Sequence, residues 1–143
     1  MLGQNIEQSL EAKIYEYIGT FLTIKSDLYN IKKMCDELSK KYKDGELISI
    51  KTKADELEAK QGELSKTLSE LSELLKKKQY IALIPKAFTF YTEADRLIYE
   101  VNELKKRLDS YMIKKPLIDV QTILPYVVGA GVAILGLSLV RRR

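Results

Sequence analysis

Few side chains in this sequence belong to the types that carry out catalysis or bind metals. The chain has 143 residues, no histidine and one cysteine, Cys35. It therefore lacks the commonest general acid–base at neutral pH, the commonest metal ligand, and any thiolate-rich zinc or iron–sulfur site. Its acidic residues alternate with lysines, a pattern typical of solvated helix faces. The sequence predicts a protein that is not an enzyme, with no cofactor, metal ion or small-molecule substrate.

The densest positive charge is a run of three arginines, Arg141, Arg142 and Arg143. They supply most of the net charge of +4, because the other Lys and Arg residues nearly balance the 20 acidic ones. Clustered guanidinium groups bind lipid phosphates and, in a virus particle, would face lipid or nucleic acid. The basic runs Lys76–Lys78 and 105–107 have acids around them. Lys76–Lys78 is interpreted as charge that complements the end of a helix dipole.

An uncharged, mostly apolar stretch, Val120–Val140, precedes the arginines. About 20 helical residues cross the hydrocarbon core of a bilayer, so the stretch predicts one transmembrane helix within 116–143, in preference to a buried helix of a soluble protein. Three small residues on one face, Gly129, Ala133 and Gly136, are expected to let such spans pack closely. The predicted membrane-spanning residues are Ile123, Leu124, Tyr126, Val127, Val128, Val132, Ile134, Leu135, Leu137, Leu139 and Val140.

The flanks of this stretch bear on membrane topology. Met1–Leu10 has no basic start followed by an apolar run, so no secretory signal peptide is predicted. Orientation stays open, because Lys114 and Lys115 compete with the arginines of the other flank. The layout resembles that of tail-anchored proteins of the outer mitochondrial membrane, which implies a single-pass C-terminal anchor. Leu124-Pro125 also looks like part of the sorting tail of sortase-anchored surface proteins, but Val127-Val128 replace its Thr-Gly.

Residues 1–115 carry a heptad pattern, in which apolar residues recur at alternating spacings of four and three. The pattern predicts long helices over about 4–42, 46–78 and 85–114. At the first break, Gly45 is expected to end a helix in the left-handed conformation and Asp44 to cap the next one. The predicted assembly seam consists of Leu10, Ile14, Phe21, Ile24, Leu28, Ile31, Leu38, Leu57, Leu64, Leu68, Leu71, Leu97, Val101, Leu104 and Leu108.

Three features of the helical region allow more than one interpretation. Cys35 lies on the first seam, where a small buried hydrophobe is expected rather than a nucleophile. Gln61 interrupts the second seam, either as a buried amide that fixes register or as a solvated residue at its rim. The connection Gln79–Phe88 is unusually apolar. It is expected to cap the bundle, or to form a contact patch for a neighbouring subunit or a lipid surface.

The predicted fold class is all-α: an antiparallel hairpin or an elongated three-helix bundle, plus one C-terminal transmembrane helix. Narrow seams also suit pairing between subunits, so a homo-oligomer is expected. The leading functional hypothesis is a non-enzymatic scaffold or spacer anchored in a bilayer, self-assembling through its seams and its span. The alternative is a viral structural protein, either a coat or a membrane-associated virion component. A weaker alternative is a membrane-active lysis or pore protein.

Overall fold

A computed structural model describes residues 2–114 of the chain, with side chains from residue 7 onward. This part contains three α-helices and no strand: α1 is Leu2–Ser39, α2 is Gly45–Lys76 and α3 is Tyr80–Ile113. At 1.5 Å per residue, the helices are about 57, 48 and 51 Å long. The all-α prediction is confirmed, and of its two architectures the elongated three-helix bundle is the one observed.

Contacts between side chains define the direction of each helix. Lys32 of α1 pairs with Asp55 of α2, while Lys60 of α2 pairs with Glu93 of α3. Further pairs follow in opposite residue order along each of these two interfaces, so α2 is antiparallel to both neighbours. Tyr17 contacts Asp95, whereas later residues of α1 contact later residues of α3, so α1 and α3 run parallel. α1 and α3 pack less closely against each other than either packs against α2.

One hydrophobic core runs along the bundle, built from the predicted heptad positions. The fully buried side chains include Ile14, Leu28, Ile50, Leu71 and Leu97. The apolar positions of each helix repeat every seven residues and so form one continuous stripe. The stripes of the three helices meet along a common axis and shield one another from water. The packing of these stripes, more than intrinsic helix propensity, stabilises helices of this length.

The first turn differs from its prediction at Gly45. Asp44 has an extended backbone and its carboxylate accepts a hydrogen bond of 3.0 Å from the Glu46 backbone N–H, so its predicted role as helix cap is confirmed. The expectation that Gly45 ends the first helix in the left-handed conformation is wrong, because Gly45 begins α2 without a positive φ. α1 already ends at Ser39.

The second turn contains a lysine in the left-handed conformation. Lys78 has a φ of 56°, its N–H donates to the carbonyl of Leu75, and the N–H of Gln79 donates to that of Leu74. This pair of hydrogen bonds is a Schellman motif, whose left-handed position is usually a glycine. α3 then begins at Tyr80, five residues before its predicted start at Pro85. Pro85 therefore lies inside α3, where it has no N–H to donate to the carbonyl of Ile81 four residues earlier.

The transmembrane part of the predicted fold is not among these helices. None of the three helices between residues 2 and 114 is long and apolar enough to cross a bilayer. The predicted span lies outside the residues that the structure describes.

Candidate functional sites on the bundle

The predicted assembly seam is occupied within a single chain. Every one of its residues, from Leu10 to Leu108, is buried in the core formed by the three helices. The heptad pattern therefore predicts the buried positions well, but the structure pairs these positions inside the chain. Self-association stays a prediction, and in this fold it requires other surfaces than the seam.

The interface between α1 and α3 contains buried residues that the seam pattern missed. Met34 lies beside Cys35, and Tyr91 and Met112 lie one position after the third seam; all three are buried. A sequence signal was present, because Tyr91, Ile98, Lys105 and Met112 recur every seven residues. This second stripe on α3 faces α1 and widens the core on that side.

An aromatic cluster fills the same interface nearer the start of α1. The ring of Tyr17 stacks on Tyr91 at a centroid distance of 5.3 Å and meets Phe90 edge-on at the same distance. Phe21 approaches Phe90 at 5.6 Å. The Tyr17 hydroxyl donates a hydrogen bond of 2.6 Å to Asp95, and burial together with this carboxylate raises the pKa of Tyr17. Such a phenol remains protonated, so the cluster packs helices together and offers no base.

Two buried carboxylates and one partly buried ammonium group lie further along the same interface. Asp27 of α1 forms an ion pair with Lys105 of α3. Asp109, one helical turn beyond Lys105, is also buried. Burial raises the pKa of Asp109 from 3.8 to about 6, and Lys105 opposes this rise.

A carboxyl group with such a pKa could act as a general acid only where substrate reaches it. Four open grooves of about 290 to 400 Å³ lie on the described part of the chain, one of them beside Ser110, and neither Asp27 nor Asp109 lines any of them. No group of three or more possible metal-ligating side chains occurs in the described part of the chain. The geometry of Asp27, Lys105 and Asp109 is therefore that of polar groups within a helix interface.

Cys35 and Gln61 both lie within the core. Cys35 is buried, as expected. Its burial, and to a smaller extent the negative charge of the nearby Asp36, raise the pKa of its thiol to about 12. A thiol with this pKa is a poor nucleophile at neutral pH. Gln61 is also buried, and its amide donates to Ser65 at 3.0 Å and to the carbonyl of Phe21 at 3.4 Å. Of its two interpretations, the buried amide is the one observed.

The apolar segment Gln79–Phe88, predicted to be a connection between helices, is the beginning of α3 and has two different sides. Leu83 and Ala87 are buried, so part of the segment does close the end of the bundle. Ile81 and Phe88 instead point outward and are 95% and 62% exposed. The same end of the molecule carries Lys76–Lys78, all exposed. We call the surface formed by Lys76, Lys77, Lys78, Ile81 and Phe88 the hairpin tip.

The remaining predicted sites belong to residues that the structure does not describe. These are the membrane span, its packing face at Gly129, Ala133 and Gly136, and the lipid or nucleic-acid contact at Arg141–Arg143. The virion and lysis hypotheses depend on them and stay predictions. What the described residues define is the class of structure, an elongated three-helix bundle. Comparison with protein-family models, curated proteins and solved structures gives no match.

Proposed function

We propose that this protein is a non-enzymatic helical spacer or scaffold that is anchored in a bilayer by its C-terminal apolar segment. The observation that carries the proposal is the direct succession of two parts along the chain. A bundle with helices about 50 Å long reaches its last helical residue at Ile113. The uncharged stretch Val120–Val140 follows within a few residues.

The use of side chains in the bundle supports a mechanical role. The seam residues are buried, and Asp27 and Lys105 form an ion pair in the α1–α3 interface. Further ion pairs, such as Lys32 with Asp55 and Lys60 with Glu93, join the outer edges of neighbouring helices. A bundle packed in this way holds its two ends at a fixed separation. That is the property that a spacer needs, and it requires no cleft.

In this proposal the C-terminal segment supplies the contact with lipid. Its length matches the hydrocarbon core of a bilayer, the stripe of Gly129, Ala133 and Gly136 would support packing between spans, and Arg141–Arg143 would bind phosphates at one surface. Because the seams are used inside the chain, homo-oligomers of this protein would form through the spans.

The test is integration of the full chain into neutral phosphatidylcholine vesicles. We expect the protein to float with the vesicles and to resist extraction by alkaline carbonate and high salt. The double variant Val132→Asp/Leu135→Asp should stay in the soluble fraction, because each aspartate at the centre of a span opposes insertion by about 3 kcal/mol. The variant Val132→Leu/Leu135→Ile changes the same positions without adding charge and should integrate normally. Equal integration of the aspartate variant would refute the anchor.

A further inference from the structure

The hairpin tip combines exposed apolar side chains with an excess of positive charge. Ile81 is 95% exposed and Phe88 is 62% exposed, one heptad apart on the outer side of α3. Pro85, between them, is exposed as well, and Ile84 is partly buried. Positions 81, 84, 85 and 88 follow the spacing of one helical face. The first turns of α3 are therefore apolar on the outside as well as towards the core.

The charges at the tip are unequally paired. Lys76 approaches Glu73 at 3.8 Å, and Lys86 forms an ion pair with Glu70. Lys77 and Lys78 form no ion pair with any carboxylate whose side chain the structure describes. Glu7 and Glu11 of α1 lie near Tyr80 at this end, and neither forms an ion pair with Lys77 or Lys78. The outer surface of the turn is therefore basic.

The backbone at Lys78 adds a further observation. Its φ of 56° places a lysine where a glycine would fit without steric cost. A left-handed conformation is sterically unfavourable for a residue with a Cβ. The turn thus carries an exposed positive side chain at this position in spite of a local penalty, and the neighbouring Lys77 is exposed as well.

We propose that the hairpin tip docks on the surface of an anionic lipid bilayer, with Lys77 and Lys78 on the lipid phosphates and Ile81 and Phe88 inserted among the upper acyl chains. Charge complementarity selects this occupant, because anionic headgroups offer phosphates beside an apolar layer. Basic residues next to exposed large apolar side chains are the combination that binds such interfaces. Lysine stems can lie along the apolar layer while their ammonium groups remain among the headgroups.

The position of the tip gives this contact a direction. The hairpin tip lies at the start of α3, and Lys114 follows the last residue of the same helix. The tip and Lys114 are therefore separated by about the length of α3, 34 residues or about 51 Å. If the segment after Lys114 is anchored as proposed above, the tip lies far enough from that anchor to contact a second bilayer. This step rests on the proposed function, whereas binding of the tip to anionic lipid does not.

The experiment places an environment-sensitive dye at the tip of the full chain through the variant Ala82→Cys. Ala82 is exposed and adjoins Ile81, which stays in place. Cys35 does not compete for the dye at neutral pH, because it is buried and its pKa is about 12. The matched control is Tyr99→Cys, which replaces a side chain that is 64% exposed on the same helix, about 25 Å further along. Both proteins are reconstituted into neutral vesicles and mixed with protein-free vesicles that contain phosphatidylserine or only phosphatidylcholine.

We expect a blue shift of the dye at position 82 with phosphatidylserine vesicles only, and no shift at position 99. Combining Ala82→Cys with Lys77→Gln or Lys78→Gly should raise the lipid concentration that gives half of the blue shift by about fivefold per lysine. Ile81→Ser with Phe88→Ser should abolish the shift. Equal shifts at both positions, equal shifts with neutral vesicles, or no shift would overturn the proposal. Tight binding of polyglutamate without a blue shift on vesicles would also overturn it, in favour of an acidic protein partner.

The same dye separates this inference from the anchor. If the chain does not integrate into donor vesicles, the labelled full chain is diluted from detergent and titrated directly with phosphatidylserine vesicles. A blue shift at position 82 alone would then support the lipid-binding tip while the anchor fails. Integration of the chain without a blue shift at position 82 would support the anchor and refute the lipid-binding tip.

Discussion

Asp27 of α1 and Lys105 of α3 form an ion pair inside the interface of two parallel helices. Their side chains are only 4% and 17% exposed. Transfer of two charges out of water is costly, and their attraction offsets this cost only while both partners are present. The pair therefore fixes which faces of α1 and α3 meet more than it adds net stability.

Removal of one partner should consequently destabilise the protein strongly. Lys105→Met leaves the Asp27 carboxylate buried without its cation, so we expect the free energy of unfolding to fall by about 3 kcal/mol. Lys60→Met is the matched control, because Lys60 also joins two helices but pairs with Glu93 between half-exposed side chains. It should change stability by about 0.5 kcal/mol or less. Urea unfolding of the full chain in mild detergent, followed by circular dichroism, measures both.

The double variant Asp27→Leu/Lys105→Met compares removal of both charges with removal of the lysine charge alone. With both charges removed, most of the stability lost in Lys105→Met should return, because no unpaired charge remains in the interface. A double variant as unstable as the single one would show that the loss comes from altered packing at position 105 and not from an unpaired buried charge.

Asp109 should make stability depend on pH in a direction opposite to that of a salt-bridged acid. Burial raises its pKa from 3.8 to about 6, so between these values the folded chain binds more protons than the unfolded chain. The free energy of unfolding therefore falls as pH rises from about 4 to 6, and levels off above. The loss amounts to about 3 kcal/mol.

Asp109→Asn isolates this contribution from that of other carboxylates. The variant should be more stable than the parent chain at pH 7, and the difference should shrink towards zero at pH 4 because the parent residue is then protonated. Thermal or urea unfolding at the two pH values measures this difference. A difference that is the same at pH 4 and pH 7 would contradict the role of burial.

The sequence predicted the parts of the fold that repeat and missed those that depend on neighbours. The spacing from Leu10 to Leu108 identified the buried stripes, because heptad positions are determined by helix geometry alone. It did not reveal that Asp27 and Asp109 would be buried, since their burial depends on how closely α1 and α3 approach. It also placed the start of α3 at Pro85, because a proline favours the first turn without requiring it.

The candidate sites likewise have features that the sequence reveals and features that depend on how the helices pack. The apolar character of Gln79–Phe88 was visible in the sequence, and a lipid surface was among its interpretations. Which residues face outward was not visible, because Leu83 and Ile81 are equally apolar and only the packed bundle separates them. The exposure of Lys78 in a left-handed turn likewise depends on where α2 ends.

Two glycines inside helices offer a direct way to stabilise the bundle. Gly19 in α1 and Gly62 in α2 have helical backbones, and a Cβ added to either would meet no atom within 4 Å. Because glycine loses more backbone freedom than alanine on folding, Gly19→Ala and Gly62→Ala should each stabilise the protein by about 1 kcal/mol. The two gains should add, since the sites share no partner. Ala59→Gly, an exposed site on α2, is the reverse control and should lose a similar amount. Urea unfolding measures all three, and a loss of stability in Gly62→Ala with a normal Gly19→Ala would show that the groove beside Gly62 is filled in the full chain.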